Sequence, residues 1–289
     1  MSVPGQIFSV LKTVLGDPSN KGERIFRLFA AVAWQLYKRS VPFPVVLQLD
    51  NGISFVADPA SGNSVGAIYT RIYESEYVLF ARKHMEKDGV VCDVGAHAGL
   101  YTLLLAPDFS RAVLFEPEPE TFLLLKRNLL INEMECAVPI QAAASDHQGK
   151  GMLKVTGKYS GTTRLVQSTE EDFDESWPSV SLVTVDQTLE DLNIGSISFL
   201  KIDTEGHELQ VLNGCRRTLG NSLGALVLYE NSSFDDVRNY FFELGWKVFG
   251  IDKQGQLLSS AVELRKGYNL FACGPKHLLY ERLPKVPAL

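Results

Sequence analysis

Five carboxylates stand where apolar runs end. Asp93 lies in the run 90–94, Glu116 follows 112–115, Asp146 comes just after 138–142, Asp203 follows 197–202 and Glu230 follows 225–229. A carboxylate accepts hydrogen bonds and donates none, so at a strand tip it can hold both hydroxyls of a ribose. Glu116 lies about twenty residues past Gly95, the spacing at which an acid after the second strand meets ribose in nucleotide-binding α/β folds. Asp93 is followed by Gly95 and Gly99 in the pattern Asp-x-Gly-x-x-x-Gly, which lacks the third glycine of a dinucleotide fingerprint. A carboxylate at that tip would repel a pyrophosphate and suit a ligand with an ammonium group, such as the methionine part of S-adenosylmethionine. Asp203, Glu205 and His207 crowd one tip and are the candidate general bases, His207 having the side-chain type that titrates nearest neutrality.

The elements that must position these groups can be read from periodicity. Val90-Val91-Cys92-Asp93-Val94 is short and β-branched, as a strand covered on both faces is. Gly95 turns the chain where a Cβ would clash, and 99–106 favours a helix stopped by Pro107. Strands follow at 112–116, 138–142, 197–202 and 225–229. A final pair is expected at 246–251 and 270–273. Helices are expected at 119–132, 186–192, 206–219 and 234–244. Segments 151–155 and 180–185 read as extended, 161–164 as a polar turn and 167–179 as an acidic, serine-rich loop or lid. This alternation implies an α/β fold with a mainly parallel sheet and helices on both faces. In such a sheet ligands lie outside the carboxyl ends of the strands, where all five acids fall.

Each residue also has a plainer reading. The glycine turn would serve any core strand and helix. An acid before Pro117 can simply start a helix, a part that Glu118 or Glu120 would also play. Asp146, after Ser145, either meets an adenine amino group or forms an Asx turn into His147. His207 would sit exposed at a helix start, and Glu205 would cap that helix. Tyr69, Tyr73, Glu74 and Tyr77 either line the site or form a packed helix face.

Asp93-Val94-Gly95-Ala96-His97-Ala98-Gly99, then Glu116-Pro117, then Phe199-Leu200-Lys201-Ile202-Asp203-Thr204-Glu205-Gly206-His207-Glu208 resemble the FkbM family of S-adenosylmethionine-dependent methyltransferases over roughly residues 65–250. The decapeptide is the most specific part, matching the family's Lys-Ile-Asp-x-Glu-Gly signature. The resemblance implies a Rossmann-like class I methyltransferase fold with a seven-stranded sheet. It implies S-adenosylmethionine as cofactor, held by Asp93, Val94, Gly95, Ala96, His97, Gly99, Glu116, Pro117, Ser145 and Asp146. It implies methyl transfer to a hydroxyl of a sugar, glycan or small natural product, with Asp203, Glu205 and His207 as catalytic candidates. His97 departs from the asparagine or similar polar residue usual in the family. Two alternatives stay open: a NAD-dependent or nucleotide-sugar oxidoreductase, and a cofactor-binding module without catalysis.

Composition bounds the rest. A chain of 289 residues accommodates an extension over 1–64, with a helix near 23–38 and a hairpin about Asp50-Asn51-Gly52, and a methyltransferase domain over 65–289. Net charge is −6 with no block of basic residues, which argues against nucleic acid as partner. Cys92, Cys136, Cys215 and Cys273 have no metal-ligand spacing and read as buried free thiols. The five histidines form no zinc cluster, so no metal is expected. The start carries no secretory signal pattern, and a cytoplasmic location is expected. Residues 24–39 are aromatic and basic, and either pack on the domain or a partner subunit or lie on a membrane surface.

Overall fold

The computed structural model describes residues 3–41, 43–155, 163–166, 174, 177–232, 234–258, 264 and 269–283. Helices α1 (Val3–Gly16) and α2 (Arg24–Ser40) lead into an antiparallel hairpin of β1 (Val45–Gln48) and β2 (Ser54–Ala57). Helices α3 (Gly62–Tyr69) and α4 (Ser75–His84) follow. The alternating part comprises β3 (Gly89–Val94), α5 (Leu100–Leu105), β4 (Phe109–Phe115), α6 (Pro119–Leu130) and β5 (Ala137–Ile140). Next come β6 (Ala143–Ala144), β7 (Gly149–Lys154), β8 (Arg164–Val166), β9 (Ser179–Val183) and α7 (Val185–Asp191). The chain continues through β10 (Phe199–Ile202), α8 (Glu208–Asn213), α9 (Arg216–Asn221), β11 (Leu226–Glu230), α10 (Phe234–Glu243), β12 (Lys247–Phe249) and β13 (Asn269–Cys273).

The main sheet has seven strands in the order β12-β13-β11-β10-β3-β4-β5. β11, β10, β3, β4 and β5 pair in parallel, and β13 runs antiparallel to both of its neighbours. This is the class I methyltransferase arrangement. The switch in strand order lies between β3 and β10, which opens a crevice at their carboxyl ends. Alternate residues of each central strand enter different cores. Val91, Ala112, Leu114, Phe199, Leu226 and Leu228 face one side, and Cys92, Val113, Phe115, Leu200, Val227 and Tyr229 face the other. The first core also holds Val14, Ala31, Trp34 and Phe55, so the N-terminal helices and hairpin share one apolar cluster with the sheet. Pro139 sits in β5, an edge strand, where a missing amide costs no ladder bond on the open side.

Several boundaries differ from the sequence reading. The helix expected over 206–219 is two, α8 and α9, parted at Gly214 and Cys215. A Cβ at Gly214 would lie 1.9 Å from the Ser145 carbonyl oxygen, so only glycine fits where the two backbones meet at this break. The strand expected over 138–142 ends at Ile140. Ala143 and Ala144 pair instead with β9, in a second sheet of order β6-β9-β7-β8 whose β7 and β9 are the extended segments expected at 151–155 and 180–185. The sequence suggests one short helix around 7–15 at the start, and the opening helix runs over Val3–Gly16. Cys136 is exposed, against the expectation of four buried thiols, because it lies in the turn before β5. The turn expected at 161–164 and the lid at 167–179 fall largely outside the described residues. Among the described residues no helix is long and apolar enough to cross a membrane.

Candidate active site

A cavity of about 740 Å³ opens at the carboxyl edge of the parallel strands. Its lining follows the strand order. Glu230 comes from the end of β11, and Lys201, Asp203, Thr204, Glu205 and His207 from β10 and the loop after it. Val94 to His97 come from the β3 loop, Phe115 to Pro117 from the end of β4, and Ala142 to Ala144 from beyond β5. The cavity therefore passes from an acidic end at β11 and β10 to an apolar end at β4 and β5.

The β3 loop is shaped by left-handed backbone at Gly95, His97 and Gly99 (φ 76°, 51° and 78°). At Gly95 a Cβ would sit 1.8 Å from the Asp203 carbonyl oxygen, so the tips of β3 and β10 meet only because this residue has no side chain. The Gly95 and Ala96 amides both donate to the Phe115 carbonyl at 3.0 Å, which ties the loop to β4. His97 occupies a conformation that asparagine and histidine adopt more readily than most residues, so its departure from the family pattern keeps the loop's shape.

Glu116 is buried yet lines the cavity. The His97 amide donates to its Oε2 and the Glu118 amide to its Oε1, both at 2.9 Å. Each oxygen keeps a further lone pair, the arrangement a vicinal diol needs. Burial pushes this carboxyl up to about 7, opposed by the two amide bonds. The helix-start role falls to Glu118, which accepts from the Glu120 and Thr121 amides at the mouth of α6, with Pro119 in its first turn.

At the acidic end, carboxylate oxygens of Asp203, Glu205 and Glu230 lie within 4.8 Å of one another. Lys201, itself buried, donates to Asp203 Oδ2 at 2.9 Å. Burial alone would lower the Lys201 ammonium, but Asp203 and Asp93 hold it above its ordinary value. Burial, then the neighbouring Asp203 and Glu205 charges, push Glu230 up to about 7, and its buried Oε2 has no hydrogen-bond partner among the described residues. Burial and the Asp203 charge also raise Glu205. Glu74, which also lines the cavity, is raised to about 7 chiefly by burial. Three lining residues that are not glycine, Glu74, His97 and Glu205, have left-handed backbone (φ 48°, 51° and 56°), a strain that the surrounding structure sustains. Glu208 pins the loop after β10: its Oε1 accepts from the Thr204 amide, the Thr204 hydroxyl and the Gly206 amide, and its Oε2 from the Ser232 hydroxyl.

The residues expected from sequence divide accordingly. Val94, Gly95, Ala96, His97, Glu116, Pro117, Asp203, Glu205 and His207 share the cavity wall. Asp93, Gly99, Ser145 and Asp146 do not. The Asp93 carboxylate turns inward, accepting the Thr102 hydroxyl at 2.6 Å, and Lys201 stands between it and the cavity. Leu125 packs over Gly99. Ser145 is buried and its hydroxyl meets His207 Nε2 at 3.0 Å, while Asp146 is held by His147 Nδ1 at 2.6 Å on an open surface. Burial lowers His207 below its usual value. Tyr73, Glu74 and Tyr77 line the cavity, whereas Tyr69 is buried with its hydroxyl bonded by Gln35. Tyr101 was not singled out from sequence, because one turn into α5 it reads as core. It lines the cavity, and its buried hydroxyl has no hydrogen-bond partner among the described residues. Asp203, Glu205 and Glu230 were each visible from sequence, but their approach to one another was not, since they come from two strand tips.

These groups fit an adenosyl ligand with a cationic end. Glu116 offers paired acceptors for a ribose diol, and Phe115, Pro117 and Ala142 to Ala144 give an apolar slot for a base. Glu74, Glu205 and Glu230 supply negative charge at the other end.

The family model of the methyltransferase FkbM domain matches residues 93–248. Methyltransferase 1 of Beauveria bassiana is 25% identical over 186 residues, 58% of this chain and 74% of that protein. Hexuronic acid methyltransferase AglP of Haloferax volcanii is 25% identical over 146 residues, 50% of this chain and 58% of that protein. Among solved structures, the methyltransferase FkbM from Methylobacillus flagellatus KT is 16% identical, covers 64% of this chain and 43% of that one, and has a TM-score of 0.44.

Proposed function

This chain belongs to the FkbM methyltransferase family, with S-adenosylmethionine as methyl donor, and we propose that it methylates a hydroxyl group of a sugar or glycan. The observation that carries this reading is the pairing, in one cavity, of a diol-accepting Glu116 with an unpartnered, pKa-raised Glu230 across the β3 and β10 tips. When bound, the donor supplies an electrophilic methyl group on a sulfonium. The chain's own residues do the rest. Glu116 accepts the ribose hydroxyls, and the apolar slot beyond β5 takes the base. A sugar hydroxyl is a weak acid, so its oxygen becomes a competent nucleophile only as its proton leaves. Glu230 receives that proton: it lines the cavity, and its pKa near neutrality suits proton transfer. Asp203 and His207 are engaged by Lys201 and Ser145, which makes them positioning residues in this reading. Glu205, close to Glu230, shares the negative charge and keeps its neighbour's proton affinity high.

The 25% identity to hexuronic acid methyltransferase AglP supports a sugar acceptor. Lys253 also lines the cavity and offers a cation to an acidic sugar. The test is transfer from methyl-labelled S-adenosylmethionine to a panel of hexuronic acids, neutral sugars and small phenols, with products read by mass spectrometry. A methyl ether on a sugar is the expected product. A product methylated on nitrogen or carbon, or on phenols alone, overturns the assignment.

A further inference from the structure

Helix α2 is apolar on two sides. Its inner side places Ala31 and Trp34 in the shared core, with Leu28 and Tyr37 packed against it. Its outer side carries Ile25, Phe29, Val32 and Leu36, at the i, i+4, i+7, i+11 spacing of one helical stripe. They are 73%, 72%, 57% and 62% exposed, and Phe26 beside them is 65% exposed. A continuous apolar stripe of this kind on a surface marks an interface. The charges around it specify the partner. α2 holds Arg24, Arg27, Lys38 and Arg39 and no acidic residue, in a chain whose net charge is −6. Arg24 and Arg39 are exposed at opposite ends of the stripe, and Arg27 is the one drawn into an ion pair, with Glu23 at 3.1 Å.

A second copy of this chain is a poor match. Two α2 helices packed antiparallel would set Arg24 and Arg27 against Lys38 and Arg39, and packed in parallel would set each basic group against its own counterpart. An anionic lipid surface opposes none of these charges and accepts the stripe between them. We propose that the outer face of α2 rests on an anionic bilayer surface, the helix lying in the interface plane. α2 packs on α3, whose Asn63 lines the cavity, and Gln35 of α2 bonds Tyr69 of α3. Docking through α2 therefore holds the cavity close to the lipid surface.

Flotation of the full chain with lipid vesicles tests this. The chain floats with vesicles of phosphatidylcholine and phosphatidylglycerol and about tenfold less with phosphatidylcholine alone. High salt weakens the association without abolishing it. The Phe29→Glu, Leu36→Glu double variant loses it, and Arg24→Gln and Arg39→Gln each weaken it about fivefold. Both positions of the double variant are exposed, and retained S-adenosylhomocysteine binding confirms that it folds. The proposal is overturned by absence of flotation with the mixed vesicles, by flotation that the double variant leaves unchanged, or by a dimer that the double variant dissolves without any vesicle binding.

Discussion

Lys201 donates to Asp203 Oδ2 at 2.9 Å and stands 4.0 Å from Asp93 Oδ1, so one buried ammonium serves the acids at two adjoining strand tips. The sheet register makes this unavoidable: Lys201 pairs with Asp93 between β10 and β3, and paired residues of parallel strands point to the same face. Asp93 is fully buried, and burial raises its carboxyl while Lys201 and the Thr102 hydroxyl oppose that rise. Replacing Lys201 by methionine leaves this carboxylate buried without a counter-charge, a change that costs about 3–5 kcal/mol in other proteins. Lys201→Met is expected to lose stability on that scale in urea unfolding, and Lys201→Met with Asp93→Asn to regain part of it. Equal losses in the single and double variants would refute the pairing.

Glu116 should account for much of the cofactor affinity. Hydrogen bonds to a charged group contribute about 1.5–3 kcal/mol, so Glu116→Ala is expected to weaken S-adenosylhomocysteine binding by about 10- to 150-fold in calorimetry. Affinity within about threefold of the parent chain would remove Glu116 from the ribose site.

Much of this was legible beforehand. Alternation of β-branched and apolar residues located the central strands, because both faces of a parallel sheet are buried and each strand reads as one run. The acids at their ends were visible for the same reason, and Glu116 stands where the spacing from Gly95 put it. What stayed hidden depends on tertiary approach. The helix expected over 206–219 is parted at Gly214, where the Ser145 backbone passes close by, and no periodicity records that distance. Asp93 looked like a ligand contact at the strand tip. It turned inward because its register partner is a lysine, a pairing between segments far apart in the chain. Glu230 carried the same strand-end signal as Asp203, but its lack of a partner appears only once the cluster is assembled.

Gly95 tests the close approach of β3 and β10. A Cβ there meets the Asp203 carbonyl oxygen at 1.8 Å and φ is 76°, so Gly95→Ala combines a backbone clash with left-handed strain. Destabilisation of about 1–3 kcal/mol and loss of S-adenosylhomocysteine binding are expected. Gly220, in α9, has nothing within 4 Å of its added Cβ and an ordinary φ, so Gly220→Ala is expected to be neutral or to stabilise by up to about 1 kcal/mol. Comparing the two melting curves separates a helix-propensity effect from the contact.

The raised carboxyls predict how stability depends on pH. Glu74, Glu116 and Glu230 all sit near 7 in the folded chain, against an unfolded value of 4.5. Between those values the folded state binds more protons than the unfolded one, so stability falls as pH rises. Their contribution is complete below about 4.5 and is lost as pH climbs through 7. The ligand-free chain should therefore melt higher at pH 5.5 than at pH 8, with Glu116 alone accounting for about 2 kcal/mol of the fall. Glu116→Gln should flatten the profile. A melting temperature that rises from pH 5.5 to pH 8 and is insensitive to Glu116→Gln contradicts the assignment.

Glu230 makes the strongest demand on the mechanism. A general base contributes about 10²- to 10⁴-fold to rate, so Glu230→Gln, which keeps shape and removes proton affinity, is expected to lower kcat by that factor. Binding of S-adenosylhomocysteine should change little, because the diol contact belongs to Glu116 on the far side of the β3 loop. In the parent chain activity should rise with pH through about 7, as Glu230 gives up its proton and becomes able to accept one. That rising limb should vanish in Glu230→Gln and persist in Asp203→Asn, shifted to lower pH because the Asp203 charge helps hold Glu230 up. Loss of the limb in Asp203→Asn with its retention in Glu230→Gln would move the base to Asp203. The contrast is informative because the two acids lie within 4.8 Å of each other and differ chiefly in who already holds them.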